Sequence, residues 1–456
     1  SISIKTMKQD SCNNKKVNIL IAEYIPSLNK GELEILYGMT RIFSSLGPYS
    51  VYLFSLLPSF DRKHYPPEVN LINVVSDLRL VNPLYIKSKL DSLRNLTMII
   101  LQYLYFIFLY TLKKDKILKN IKKDIWRAYI NADVIIICHD QMPIVFGFLL
   151  PFTPILNVLV SKVLSKPLVI LANGTHYVDL SYSSFFYRIV TKILLPYDIN
   201  NTSLIIVRDY ETYILFKNAV KEKRKIFVTA DPAFLLTSKP SGFLLPFSGC
   251  RYTIGVALSK EAIIKSSIVK NSSKRSFVEY LNLFAKIFDY LIEKLDAMIV
   301  FIPHSIEPYF DRDDRRIALE IYKCINHKDH VKLLLDDLSL QDLRSIIGSL
   351  DLLITTRVHA AISALSMGVP TIVLKWPSDR RAQNLIGVYF KQKDWIIDIS
   401  AIDYNAFKEI ICDFLSRKNE IRECILETVY IIQRRALLNS KILKIFVSRW
   451  NEYQKK

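Results

Sequence analysis

The sequence predicts an α/β fold: two domains facing a cleft, each a parallel sheet covered by helices, followed by a helical C-terminal tail. Three observations lead there. Apolar runs of strand length recur from Val17 onward, each followed by a longer segment of helical character, which is the signature of a parallel sheet under helices. The rhythm breaks between Thr237 and Tyr252, where Pro240, Gly242, Pro246 and Gly249 accumulate, and then resumes. A chain of 456 residues is also long for a single core.

Taken in order, residues 1–16 are polar and basic and read as a flexible N-terminus. The first domain, 17–236, offers strands at Val17–Glu23, Ser50–Leu56, Val69–Val75, Val134–Cys138, Leu168–Ala172, Leu204–Val207 and Ile226–Thr229. Such continuous apolar runs suit strands buried on both faces. Residues 237–252 read as the linker. The second domain, 253–400, has strands at Thr253–Leu258, Ala297–Ile302, Val331–Leu335, Leu352–Thr355 and Thr371–Leu374. Residues 401–456 carry apolar residues at helical spacing and should pack across the core as helices.

One segment of the first domain, 93–130, stands apart. Leu96–Leu112 is almost wholly apolar or aromatic, and Lys113, Lys114, Lys116, Lys119, Lys122, Lys123 and Arg127 follow it. A spanning helix needs roughly 20 apolar residues, so the length is marginal for crossing a bilayer. Contact with a membrane surface through 96–127 is the favoured expectation, with a buried core helix and a true span as the alternatives.

Composition narrows the function classes. Half the residues are hydrophobic, which excludes global disorder. The net charge of +19 suits an anionic lipid, an anionic glycan or a phosphorylated substrate as well as it suits nucleic acid. No helix-turn-helix pattern, zinc finger, RNP-like motif or basic arm is present, so no nucleic-acid partner is expected. The six cysteines are scattered without a CxxC pair, giving no disulfide framework and no expected metal. With no signal-peptide core in Ser1–Lys16, the expected location is cytoplasmic, with peripheral attachment to the inner membrane face in view.

The most informative stretch is SLQDLRSIIGSLDLLITTRVHAAISALSMGVPTIVLKW, Ser339 to Trp376. Ser339 with Asp342 fits a helix N-cap, with the helix running to about Gly348. Asp351 opens a strand ending near Thr355, and Arg357 and His359 follow at the start of the next helix. The C-terminal edge of a parallel strand and a helix N-terminus both favour an anionic ligand. Arginine supplies a planar fork for a carboxylate or phosphate, and histidine moves a proton near neutral pH. The plainer reading is an arginine bonded to local carbonyls and a capping histidine.

The pattern RxHA-x-I-S-A-L-x-x-G-V-P resembles the C-terminal signature of the polysaccharide pyruvyl transferase family. Other pieces occur in that family's order: NKGE with Asn29, Gly31 and Glu32; VRDYET with Arg208 and Asp209; and ADPAF from Ala230 to Phe234. The resemblance covers roughly residues 17–395. It implies two Rossmann-like domains of the GT-B-like kind, phosphoenolpyruvate as donor substrate, and a saccharide acceptor that a lipid could carry. It also implies that Arg208, Arg357 and His359 hold the donor, with no metal or redox cofactor needed. His359 would then protonate the donor's methylene carbon or steady its phosphate.

Further candidates have plainer counterparts. Asn29 and Gly31 either line an anion pocket or make a tight strand–helix turn. Asp231 is a natural turn residue before Pro232, or pairs with Arg208 between the domains. His176 in NGTH and His304 after Pro303 sit at strand C-termini as substrate contacts, and His139 and Asp140 have less support. Where the family's next loop carries an aromatic residue and a lysine, this chain reads KWPSDRRAQN, and Arg380 and Arg381 supply the charge instead, with Arg380 as the candidate substrate contact. The rival readings are a nucleotide-sugar glycosyltransferase of the same double fold and a non-catalytic membrane-surface glycan-binding protein. The first lacks its glycine-rich loop here, since RVHAA stands in that place.

Overall fold

A computed structural model describes residues 16–82, 85, 88–112, 122–138, 153–174, 195–221, 225–236, 249–268, 275–307, 312–390 and 395–454. The first half forms a seven-stranded sheet from β1 (Val17–Tyr24), β2 (Tyr49–Ser55), β3 (Val69–Asn73), β4 (Val134–Ile137), β5 (Leu168–Asn173), β6 (Leu204–Val207) and β7 (Ile226–Val228). Its strand order is β3-β2-β1-β4-β5-β6-β7, and every pairing is parallel. The second half forms β8 (Tyr252–Ala257), β9 (Ala297–Phe301), β10 (Ile306–Glu307), β11 (Arg312–Asp313), β12 (Val331–Leu333), β13 (Leu352–Thr355), β14 (Thr371–Lys375) and β15 (Ile396–Asp398). Here β10 and β11 form a small antiparallel pair, and the others make a parallel sheet in the order β12-β9-β8-β13-β14-β15.

Both sheets therefore follow the doubly wound order, with the strand direction of travel reversing beside β1 in the first and beside β8 in the second. Ligands in such sheets collect outside the strand C-termini at that reversal. The chemistry explains the buried centre. The central strands β4, β5, β6 and β13 bury every residue, and apart from Asn173 and Thr355 at their C-terminal ends their side chains are apolar on both faces.

Helix α1 (Lys30–Phe43) starts at Asn29, whose side chain caps the Gly31 N–H, and it buries nearly its whole circumference. Its apolar face packs on the first sheet through Leu33, Leu36 and Met39. Its other residues face the second half of the chain, as the site below shows. The tail continues from a helix at Tyr404–Ser416 into α2 (Lys418–Gln454), 37 residues long. Ile425 and Ile432 of α2 join the second domain's core, while Leu443 and Val447 join that of the first. Each fully buried aliphatic side chain contributes roughly 1.5–3 kcal/mol, so α2 ties the two halves together. Asn439 adds polar anchors to Thr229 Oγ1 at 2.9 Å and to the Ala230 carbonyl at 3.2 Å.

Several elements differ from the sequence expectation. Val74 and Val75 belong to a short helix, Val74–Leu78, because the Asn73 side chain accepts from the Ser76 N–H and starts a turn. The β10–β11 pair and β15 were not anticipated. The apolar segment near residue 100 lies in a helix, Lys89–Leu112, and is both buried and exposed. Ile99, Tyr103, Phe106 and Tyr110 enter the first domain's core, while Leu101, Leu104, Tyr105, Phe108 and Leu112 face outward. Lys113–Ile121 and most of the linker lie outside the described residues.

Candidate functional site

The seam between the two halves is built by backbone pairing as well as side chains. Asn29 and Ser305 form an antiparallel bridge. Around it the Lys30 N–H donates to the His304 carbonyl at 2.9 Å, and the Ile306 N–H donates to the Leu28 carbonyl at 3.0 Å. Lys30, although 2% exposed, reaches Asp337 at 2.8 Å, and His64 Nε2 lies 2.7 Å from the same carboxylate. Burial would raise the Asp337 carboxyl, yet the hydrogen bonds and charges of His64 and Lys30 bring it down to about 2. Deeper in α1, Glu34 meets Arg344 at 3.1 Å, and Arg344 also donates to Ser363, Ser366 and the Leu236 carbonyl.

At the centre of this seam three side chains from distant segments converge. Arg208 follows β6, Asp231 follows β7, and His359 lies in the first turn of the helix Val358–Ser366 after β13. Arg208 Nη1 donates to Asp231 Oδ2 at 2.6 Å, with both side chains essentially sealed from solvent. His359 Nε2 lies 3.2 Å from Arg208 Nη1 and 3.5 Å from Asp231 Oδ2. A neutral imidazole accepts from the arginine; a protonated one donates to the carboxylate. Burial and Arg208 oppose the proton, but the hydrogen bond and charge of Asp231, with help from Glu32, outweigh them and raise the His359 pKa. Burial alone would raise the Asp231 carboxyl, but Arg208 and His359 together hold it below its usual value. With His359 protonated, two cations flank one carboxylate, and the cluster carries a net positive charge.

Two glycines fit this geometry sterically. A Cβ on Gly31 would lie 2.8 Å from both Cβ and Nδ1 of His359. One on Gly174 would lie 2.5 Å from Arg208 Nε. The NKGE and RVHA motifs, more than three hundred positions apart, thus pack directly on each other. The Gly31 N–H donates to Asn29 Oδ1 at 3.2 Å, so this pair makes a capped strand–helix turn at the seam.

Arg357 stands one turn away with its fork engaged. Nε and Nη2 donate to Asp314 at 3.1 and 2.6 Å, and the side chain keeps 21% exposure. Asp314 also accepts from the His304 and Ser305 N–H groups, so the ion pair orients the His304 loop. Burial raises the Asp314 carboxyl against the pull of Arg357. His304 itself is buried, and its Nε2 has no hydrogen-bond partner. Burial, then the charges of His359, Arg357 and Lys30, pushes its pKa well below the ordinary value. It is a neutral imidazole with an unused nitrogen beside a cationic cluster.

Of the residues named from sequence, Asn29, Gly31, Arg208, Asp231, His304, Arg357 and His359 all lie at the seam, and the Arg208–Asp231 pair forms. Arg380, 64% exposed, also reaches across the two halves, 3.1 Å from Glu211 in the helix Tyr210–Ala219 that follows Arg208 and Asp209. His176, His139 and Asp140 lie outside the described residues. Lys30, Glu34, His64, Asp314, Asp337 and Arg344 were not singled out beforehand. The one available signal was a charge inside an apolar helical pattern, as at Glu34 between Leu33 and Ile35. Among the described residues Cys250, Asp296 and His330 also bring potential metal-ligand atoms within 4.8 Å of one another, at the opposite, N-terminal edge of the second sheet.

The fold and the seam define a chain of two Rossmann-like domains of the GT-B-like class, with charged side chains from both halves gathered between them. The chain belongs to the polysaccharide pyruvyl transferase family, whose profile matches residues 29–378. It is 23% identical over 179 residues to the amylovoran biosynthesis protein AmsJ of Erwinia amylovora, covering 38% of this chain and 42% of that protein. The match thus spans less than half of that curated relative. Among solved structures it is similar to a putative UDP-N-acetylglucosamine 2-epimerase of Listeria monocytogenes, with TM-score 0.56, 14% identity, and 96% and 97% of the two chains covered. It is also similar to the UDP-GlcNAc 2-epimerase of Neisseria meningitidis, with TM-score 0.54, 11% identity, and 95% and 100% covered. At these identities the likeness is one of fold.

Proposed function

We propose that the chain transfers a pyruvyl group from phosphoenolpyruvate to two hydroxyls of a saccharide, and that the seam around His359 holds the donor. The observation that carries this reading is the Arg208–Asp231–His359 cluster with the unpartnered Nε2 of His304 nearby. It is assembled from the segments that match the family. A cluster with excess positive charge in a buried seam favours a small, highly charged anion. Phosphoenolpyruvate supplies a carboxylate and a phosphate.

The chemistry uses this chain's own groups. Protonated His359 delivers its proton to the methylene carbon of the donor, which becomes a methyl group, and C2 becomes electrophilic. The first sugar hydroxyl attacks C2 and returns its proton to the imidazole. The second hydroxyl then forms the other C2–O bond as the C2–O bond to phosphate breaks, and its proton leaves with the phosphate. The product is a cyclic pyruvate ketal. Asp231 keeps the imidazole charged between turnovers, and Arg208 fixes Asp231.

Calorimetric titration with phosphoenolpyruvate, and in parallel with UDP- and GDP-sugars, tests the reading on wild type and on His359→Ala and Arg357→Ala. Phosphoenolpyruvate should bind, and weaken at least tenfold in His359→Ala. Binding of a nucleotide sugar with phosphoenolpyruvate silent would overturn the reading and favour a glycosyltransferase.

A further inference from the structure

We infer that the helix Lys89–Leu112 is a docking surface for an anionic lipid bilayer, lying along the membrane interface with its outer face in the lipid. The inference is independent of the donor assignment. Its basis is the unusual use of both faces of one helix. The inner face is fixed to the first domain: Tyr103 and Phe106 enter the core, and Gln102 Nε2 donates to the Leu78 carbonyl at 2.7 Å. Asn95 makes a paired exchange with the Val81 backbone at 2.7 and 2.9 Å. A surface helix so anchored ordinarily shows a polar outer face.

This one does not. Leu93, Leu101, Leu104, Tyr105, Phe108 and Leu112 recur at helical spacing on the outside, each between 48% and 63% exposed. No charged side chain occurs from Asn95 to Leu112. Contiguous exposed apolar surface of this kind marks an interaction site. The inner face is packed on neighbouring helices, with Tyr103 and Phe106 against Trp126 and Tyr129, so the helix cannot leave them to cross a bilayer, although the 20 residues Leu93–Leu112 are long and apolar enough to do so. It can only lie on one.

Charge selects the occupant. Exposed Arg94 stands at the start of the apolar face and exposed Lys122 follows it, while Arg127 beyond is paired with Asp124 at 3.5 Å. In sequence, Lys113, Lys114, Lys116 and Lys119 stand between, against one acid, Asp115. A second copy of the chain would bring like charges together, with +19 on each molecule. An anionic headgroup layer complements both the apolar face and its basic flank. Docked this way, the chain would meet a saccharide carried on a lipid.

The test is sedimentation of the full chain with phosphatidylcholine vesicles with and without phosphatidylglycerol. Binding is expected only to the anionic vesicles and should weaken as salt is raised. Phe108→Glu and Leu104→Glu should each lower the partition coefficient at least tenfold, roughly what losing one buried apolar side chain costs. Their urea midpoints and phosphoenolpyruvate titrations should match wild type, because the substituted side chains face outward. Absence of binding by wild type, or variants that bind equally well, would overturn the inference. So would a wild-type dimer that the same substitutions split while no vesicle binding is seen, since that would make the face a contact between copies.

Discussion

Replacing Gly31 by alanine is the most sensitive probe of the seam, because it adds one methyl group and no charge. The added carbon would sit 2.8 Å from His359 Cβ and Nδ1 and 2.9 Å from Cγ, where ordinary contact begins at 3.4 Å. Either α1 or the helix carrying His359 must therefore yield by about 0.6 Å. Neither moves freely: α1 is capped by Asn29 and bridged to Ser305, and the His359 helix is packed through Ala361 and Ile362. Overpacking of this kind costs about 1–3 kcal/mol. The displacement would also lengthen the His359 contacts to Arg208 and Asp231, now 3.2 and 3.5 Å. Urea unfolding of Gly31→Ala should show that loss, and calorimetry should show phosphoenolpyruvate weakened on the order of tenfold or more. His359→Ala removes two of the three crowded atoms, so the double variant should be more stable than the sum of single effects requires, by about 1 kcal/mol. A Gly31→Ala protein with wild-type midpoint and wild-type binding would refute the packing of these two motifs and the reasoning built on it.

Three other outcomes are expected. The folded-state pKa of His359 lies above its ordinary 6.5. The stability its proton contributes is therefore complete below that value and lost as pH rises through the folded one; phosphoenolpyruvate affinity should fall over the same range, and His359→Gln should flatten that limb of the titration. Arg344→Met leaves Glu34 buried without its cation and should cost about 3–5 kcal/mol in urea unfolding, with Glu34→Gln in the same background restoring part of it. Arg380→Ala should change stability by no more than about 1 kcal/mol, because the arginine's side chain is 64% exposed and Glu211 keeps its bond from Asn384, and should leave phosphoenolpyruvate binding unchanged by calorimetry.

Much of the fold was legible because the strands are central and doubly buried: β4 and β6 carry four apolar residues each with no polar interruption. β15 was not, since its three residues are only half buried and its sequence, Ile396–Asp398, carries no distinguishing pattern. The site was legible where a motif stands at a strand end, as at Arg208, Asp231 and His359. The partners that hold it were not. Asp314 opens an otherwise ordinary helix, and Lys30 looks solvated until its bond to Asp337 is seen. The pair of Arg380 with Glu211 was not legible, because sequence gives the charge of a loop but not its direction. The grouping of Cys250, Asp296 and His330 was not legible, because they arrive from three separate connections.

The measurement that bears most directly on the donor site is a crystal structure with phosphoenolpyruvate bound. The donor should lie in the seam, with one of its oxygens within hydrogen-bond distance of His304 Nε2 and its methylene carbon facing His359. Donor density at any other place, with the Arg208–Asp231–His359 cluster unchanged and uncontacted, would contradict this assignment.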